Sequence, residues 1–133
     1  MAAQPPPRQL PKPRRGEIWF VKLPTDPPEK EPRPVVVVSL DGRNLHPRAE
    51  TVLIVPLSTS VKEFDSHVPL SPGETGLNEA SEAQGENITT VRKEFLIPPR
   101  GGSHLRTLTS GTLRRIGRAV IIGMGIPPNE ISS

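Results

Sequence analysis

The chain predicts a small, mainly β domain of the α+β class, with an antiparallel sheet or barrel and one helix at its C-terminal end. Three observations lead there. Short runs of β-branched and aliphatic residues recur between turn signals. The 18 prolines suit loops and edge strands and rule out a bundle of long helices. Helical periodicity occurs only near the C-terminus, with no regular βαβ alternation before it.

Taken in order, residues 1–14 are Pro-rich and basic, lack periodicity, and predict a disordered tail. Residues 17–23, where aromatic and β-branched residues dominate, read as the first strand. Residues 24–32 hold four prolines and read as a long loop, often functional in a small domain. Residues 34–39 form a continuous apolar run, the mark of a strand buried on both faces. Asp41-Gly42 signals a turn, and residues 51–57 a second strand of the buried kind. An exposed loop is expected to Asp65, a short edge strand over 67–70, a turn over 71–79, and a further extended stretch ending at Val91. Leu113, Ile116, Gly117, Val120, Ile121 and Met124 then recur at helical spacing opposite Arg114, Arg115 and Arg118. Thr109 or Ser110 is placed to cap this helix, and Gly125 with Pro127 to stop it. The organisation is thus a tail over 1–14, a domain over 15–127 and a flexible end over 128–133.

At 133 residues, with 33% apolar residues and four aromatic rings, the core must rest on Val, Ile and Leu. The absence of cysteine removes disulfides, thiolate catalysis and thiolate-bound zinc. No apolar run approaches the roughly 20 residues of a membrane span, and the N-terminus lacks a signal-peptide core, so a cytoplasmic location with no membrane partner is expected. The net charge of +3 is concentrated in the first fifteen residues: Arg8, Lys12, Arg14 and Arg15 take four of the 17 basic residues, leaving 13 against 14 acids, or −1, from Gly16 onward. Phosphate binding by the body must therefore come from a local cluster.

Four blocks carry a family likeness. They are Arg15-Gly-Glu-Ile-Trp-Phe-Val, Arg33-Pro-Val-Val-Val-Val-Ser, Thr51-Val-Leu-Ile-Val-Pro-Leu-Ser58, and Ser81-Glu-Ala-Gln-Gly-Glu-Asn-Ile-Thr-Thr-Val91. In this order they resemble the MazF/PemK family of type II toxin–antitoxin endoribonuclease toxins, from about Arg15 to Ile126. The resemblance implies an SH3-like or CcdB-like antiparallel barrel, a homodimer, and no cofactor or metal. It implies cleavage of single-stranded RNA, mRNA included, at short motifs by attack of the 2′-hydroxyl. It also implies growth inhibition, and an antitoxin whose disordered tail occupies the RNA groove.

Such chemistry needs stabilisation of the phosphorane charge, a base and a proton for the leaving oxygen. Arg33 matches the family's catalytic Arg, and a guanidinium grips two phosphate oxygens at once; the bland alternative is an ion pair with Glu29 or Glu31. Ser58 stands where the family usually carries Thr, with Thr59 beside it; a loop-capping serine is the alternative. Glu86 falls where several members place Asp and is a candidate base, with Glu29 a second candidate on the Pro-rich loop. Asn87 is expected to read a base edge. Gln84 and Thr89 replace arginines found in relatives, and Arg43, Arg48 or Lys62 are candidates to supply the missing charge. His46, His67 and His104 form no catalytic or metal-binding spacing, and His67 reads as structural. Trp19 reads as core or dimer interface. The missing arginines leave open a catalytically weak or inactive member that binds RNA or a protein partner. A gyrase-poisoning role, known for the same architecture, acts through the C-terminal helix end, which here runs into Ile126-Pro-Pro rather than the bulky aromatic such a role needs.

Overall fold

The computed structural model describes residues 10–98 and 105–130. Of the expected tail, residues 1–9 lie outside these; within the remainder Pro13 is buried and the Arg14 N–H donates to the Glu17 carboxylate at 2.7 Å. Packing therefore begins two residues before the expected boundary. His104 and residues 131–133 also lie outside the described residues. At the C-terminal end, Pro128–Glu130 form a 3-10 turn within the segment expected to be flexible.

Seven strands build the sheet: β1 (Ile18–Val21), β2 (Arg33–Val37), β3 (Thr51–Ser58), β4 (His67–Leu70), β5 (Ser81–Gln84), β6 (Thr89–Arg92) and β7 (Leu96–Ile97). Every pairing is antiparallel, in the order β4-β5-β3-β2-β1-β7, with β6 also on β3. Edges remain at β4 and β7, so the expected barrel is an open one. The extended stretch expected to end at Val91 is β6, and a 3-10 turn, Gly85–Asn87, separates it from β5. That break lets β6 pair with the first half of β3 (Thr51↔Arg92 to Ile54↔Thr89) and β5 with its end (Leu57↔Ala83, Ser58↔Glu82). The Asp41-Gly42 turn is the start of a four-residue helix, α1 (Asp41–Asn44), steadied by the Asn44 amide reaching Ser39 and Asp41. The turn over 71–79 contains α2 (Pro72–Thr75), closed by a Ser71–Glu74 capping box.

Strand alternation divides the core in two. Ile18, Val36, Val55 and Leu57 face one side, where Val68, Leu70, Ala83 and the C-terminal helix α3 (Ser110–Gly123) cover them. Trp19, Val21, Val35, Val37, Val52 and Ile54 face the other, with Val91 and Leu96. The Val35–Val37 run is buried on both faces, as its composition predicts. Trp19 belongs to the second cluster, its indole N–H donating to Glu17 at 3.1 Å. The buried face of α3 is Thr112, Leu113, Ile116 and Ala119; Met124, at the end of the expected stripe, is 69% exposed, because the helix has already ended. No helix among the described residues is long and apolar enough to cross a membrane.

Thr109, one of the two expected caps, starts α3: its hydroxyl accepts the Thr112 N–H at 3.2 Å. Thr109→Ala is expected to cost about 1 kcal/mol, read as a lower urea midpoint with an unchanged slope.

Candidate functional site

On the sheet face away from α3 lies an open groove of about 340 Å³. Val21, Val35, Ile54, Pro56 and Val91 form its apolar floor, and Arg33, Gln84, Asn87, Thr89 and Thr90 its polar rim. Arg33 opens β2 directly after the Pro-rich loop and pairs with Val21. Its guanidinium is exposed, and among the described residues no hydrogen bond or ion pair engages it; the alternative pairing with Glu29 or Glu31 is not formed. Among the described residues Arg33 is also the sole charged one lining the groove. Apolar floor, hydrogen-bonding rim and one cation together suit bases that lie flat beside a phosphate.

Four of the residues singled out from the sequence, Arg33, Gln84, Asn87 and Thr89, thus converge on one groove. Ser58 follows Ile54 and Pro56 on the same face of β3 by strand alternation. Its Oγ accepts the Ser60 N–H at 3.1 Å, the loop-capping arrangement, and its own proton stays available to donate. Thr59 and Lys62 lie on the exposed loop beyond it. The remaining candidates sit elsewhere. Arg43 is at the opposite end of β3, its guanidinium on the Thr51 hydroxyl (2.8 Å) and carbonyl (3.3 Å). Arg48 is exposed on the same side as Arg43, after α1. Glu29 is exposed on the Pro-rich loop and outside the groove lining, while Glu31 borders a different, apolar hollow with Phe20 and Ile97.

Glu86 is held in a chain of polar groups that the sequence did not reveal. His67 is buried, its side chain 2% exposed, with Nδ1 2.7 Å from Glu82 Oε2 and Nε2 2.5 Å from Glu86 Oε1. Glu86 Oε2 also accepts the Ser66 hydroxyl at 2.6 Å. Glu82, itself 2% exposed, accepts the backbone N–H of Lys62 (3.2 Å) and of Glu63 (2.9 Å). Burial works against charge on the His67 ring, but the hydrogen bonds and charges of Glu86 and Glu82 outweigh it and raise its pKa. Burial likewise opposes charge on both carboxylates. It is overcome at Glu82 by the Glu63 and Lys62 N–H groups and the imidazole, and at Glu86 by Ser66 and the imidazole, so both pKa values fall. Glu82 gave no sequence signal: an acid in a strand is ordinarily solvated, and only the crossing of β4 and the following of loop 59–66 over it seal it in.

A seven-stranded antiparallel sheet with a helix on one face and an Arg33-marked groove on the other defines the architecture. The PemK-like, MazF-like toxin family of type II toxin–antitoxin systems matches residues 14–123, and the chain belongs to that family. It is 36% identical over 96 residues to the endoribonuclease MazF9 of Mycobacterium tuberculosis, covering 66% of this chain and 80% of that protein. It is 31% identical to the probable endoribonuclease MazF5 of the same organism, over 64% of this chain and 72% of the relative. Among solved structures it resembles a mycobacterial endoribonuclease (TM-score 0.67, 25% identity, 90% of this chain and 98% of the other). It also resembles a mycobacterial endoribonuclease in complex with its cognate antitoxin (TM-score 0.66, 26% identity, 86% and 97%).

Proposed function

We propose that this chain is an endoribonuclease toxin that cuts single-stranded RNA, mRNA in the cell, at short motifs in the Arg33 groove. The observation that carries the reading is the convergence of Arg33, Gln84, Asn87 and Thr89 over an apolar floor on the helix-free face of a MazF-type fold. In this reading the 2′-hydroxyl attacks the adjacent phosphorus and the bond to the 5′-oxygen breaks, leaving a 2′,3′-cyclic phosphate and, with a proton taken from water, a 5′-hydroxyl. Arg33 neutralises the phosphorane, and Ser58 donates its free proton to a phosphate oxygen. Gln84 and Asn87 hold base edges. Glu86, its carboxylate occupied by His67 and Ser66 and its pKa lowered, orients the site and is a poor proton acceptor. The 2′-hydroxyl proton passes to water in the open groove, since Glu29 lies outside its lining. The chain acts in the cytoplasm as a homodimer, and an antitoxin's disordered tail silences it by lying in the same groove.

The test is incubation of a long, mixed-sequence single-stranded RNA with the protein in EDTA. Discrete fragments ending in cyclic phosphate are expected. Intact RNA from a folded protein would overturn the reading in favour of a second one, a binder of RNA or of a protein partner. That second reading draws on the neutral Gln84 and Thr89, which leave one charge in the groove. Thr89→Arg measures what the neutrality costs. It is expected to tighten RNA binding and to steepen the fall of log K with log salt by about 0.7, one added phosphate contact on a single strand. A filter-binding series across salt concentrations reads both.

A further inference from the structure

The His67–Glu82–Glu86 chain lies beside the groove, each member one step from a groove residue. Glu82 is the cross-strand partner of Ser58, His67 is the partner of Gln84, and Glu86 precedes Asn87 in the 3-10 turn. It joins three separate stretches of chain: edge strand β4, turn Gly85–Asn87, and, through the Glu82 carboxylate, loop 59–66. In that loop Glu63 has φ +56°, a left-handed conformation that costs a non-glycine residue energy and persists where its surroundings impose it. The N–H groups of Lys62 and Glu63 both donate to the Glu82 carboxylate at this point.

The geometry also sets the protonation state. A neutral imidazole carries one N–H, yet both ring nitrogens of His67 face carboxylate oxygens at hydrogen-bonding distance. With both carboxylates ionised, as their lowered pKa values favour, both contacts are bonds at once only when both nitrogens donate, that is, when the ring is an imidazolium. The charged groups facing it are Glu82 from β5 and Glu86 from the turn; α3, which also packs on β4, supplies none of its charged partners among the described residues. Loss of the proton leaves a carboxylate pair around a neutral ring with one donor too few, and frees one side of the clasp.

We propose that His67 is a positioning residue: as an imidazolium it clamps loop 59–66 and turn Gly85–Asn87 against β4, and so holds Ser58, Gln84 and Asn87 in their places around the groove without touching RNA. This rests on the nuclease reading only for its effect on cleavage; the clamp itself is a statement about the fold. The pH window follows from the signs. The raised His67 pKa makes its contribution complete below the unfolded value of about 6.5 and lost as pH rises through the folded value. The lowered carboxylate values make theirs complete above about 4.5 and lost as pH falls through the folded values. The clamp is tight between the two.

The experiment is amide hydrogen exchange at Lys62 and Glu63 from pH 6.5 to 9, with the ring nitrogens of His67 followed by NMR. After correction for intrinsic exchange, protection at both amides is expected to fall about tenfold per pH unit until the ring has titrated, then to level off. In His67→Gln, which has no proton to lose, protection is expected to be low and independent of pH. Cleavage by wild type is expected to decline over the same window through kcat, with KM for RNA less affected. Protection that stays flat while the ring titrates, or a ring that titrates at the ordinary value, overturns the proposal; the wild-type series decides even where the variant does not fold. A titrating clamp in a protein that never cuts RNA overturns the nuclease reading and leaves the clamp standing. Arg33-dependent cleavage with flat protection does the reverse.

Discussion

Arg33→Ala is expected to lower the rate of RNA cleavage by about 10²–10³-fold, the scale seen when one preorganised donor to a developing oxyanion is removed. The reason is local: among the described residues no other charged side chain lines the groove, so none of them substitutes for the lost guanidinium. The fold is expected to survive, since Arg33 is exposed at the first position of β2 and no hydrogen bond or ion pair to its side chain is lost among the described residues. The backbone pairing with Val21 is unaffected by truncation of the side chain. Single-turnover cleavage of a labelled RNA measures the rate, and a thermal melt confirms the fold. Arg33→Lys separates charge from shape. It keeps the charge but loses the two-pronged grip, and is expected to recover only a small part of the activity. Activity near wild type in Arg33→Ala would place the chemistry outside this groove.

The largest expected effect on stability is at Gly85. A Cβ there would lie 2.7 Å from the Ala119 carbonyl carbon, 2.7 Å from the Val120 nitrogen and 2.8 Å from the Ser66 carbonyl oxygen. All three are backbone atoms, so no side chain can swing aside. Gly85→Ala must push α3 away from the turn or push the turn out of the sheet. Overpacking in a rigid site costs about 1–3 kcal/mol, and this site belongs at the top of that range. For a domain of this size about 3 kcal/mol corresponds to a melting temperature lower by roughly 10 °C, read by calorimetry. The same approach is repeated at Gly123, where a Cβ would meet Glu86 Cα at 2.8 Å and Cβ at 2.9 Å. Two glycines, 38 positions apart in the numbering, therefore seat α3 on the turn that carries Glu86 and Asn87. A shift of α3 at either contact is expected to reach the groove from behind. A Gly85→Ala protein that melts like wild type would show that helix and turn are looser than their backbone distances imply.

Much of this architecture is legible in the chain because it depends on period and punctuation. The Val35–Val37 run and the strand Thr51–Ser58 are apolar at successive positions and are buried on both faces. The terminal helix announces itself by spacing, and Thr109 by its capping chemistry. Arg33, Ser58, Gln84, Asn87 and Thr89 were legible through likeness to a family motif, as positions rather than as geometry. Between β5 and β6 the chain turns at Gly85, although the residues on either side favour strand. What bends it is the helix lying against that glycine, a contact between residues far apart in sequence. Local pattern carries no information about such a contact.

By itself the sequence determined the class of fold, the order of its elements and the two-faced burial of its central strands. Each follows from side-chain chemistry and spacing within a few residues. Only the tertiary structure decided which polar residues meet. It sent Arg43 to Thr51 at the far end of β3, put Gln84, Asn87 and Thr89 around Arg33, and sealed Glu82 beneath loop 59–66 with His67 between it and Glu86. The physical reason is that a strand's register and a helix's seat are set by contacts summed over the whole core. A carboxylate or an imidazole has a function only once those contacts have chosen its neighbours and removed its water.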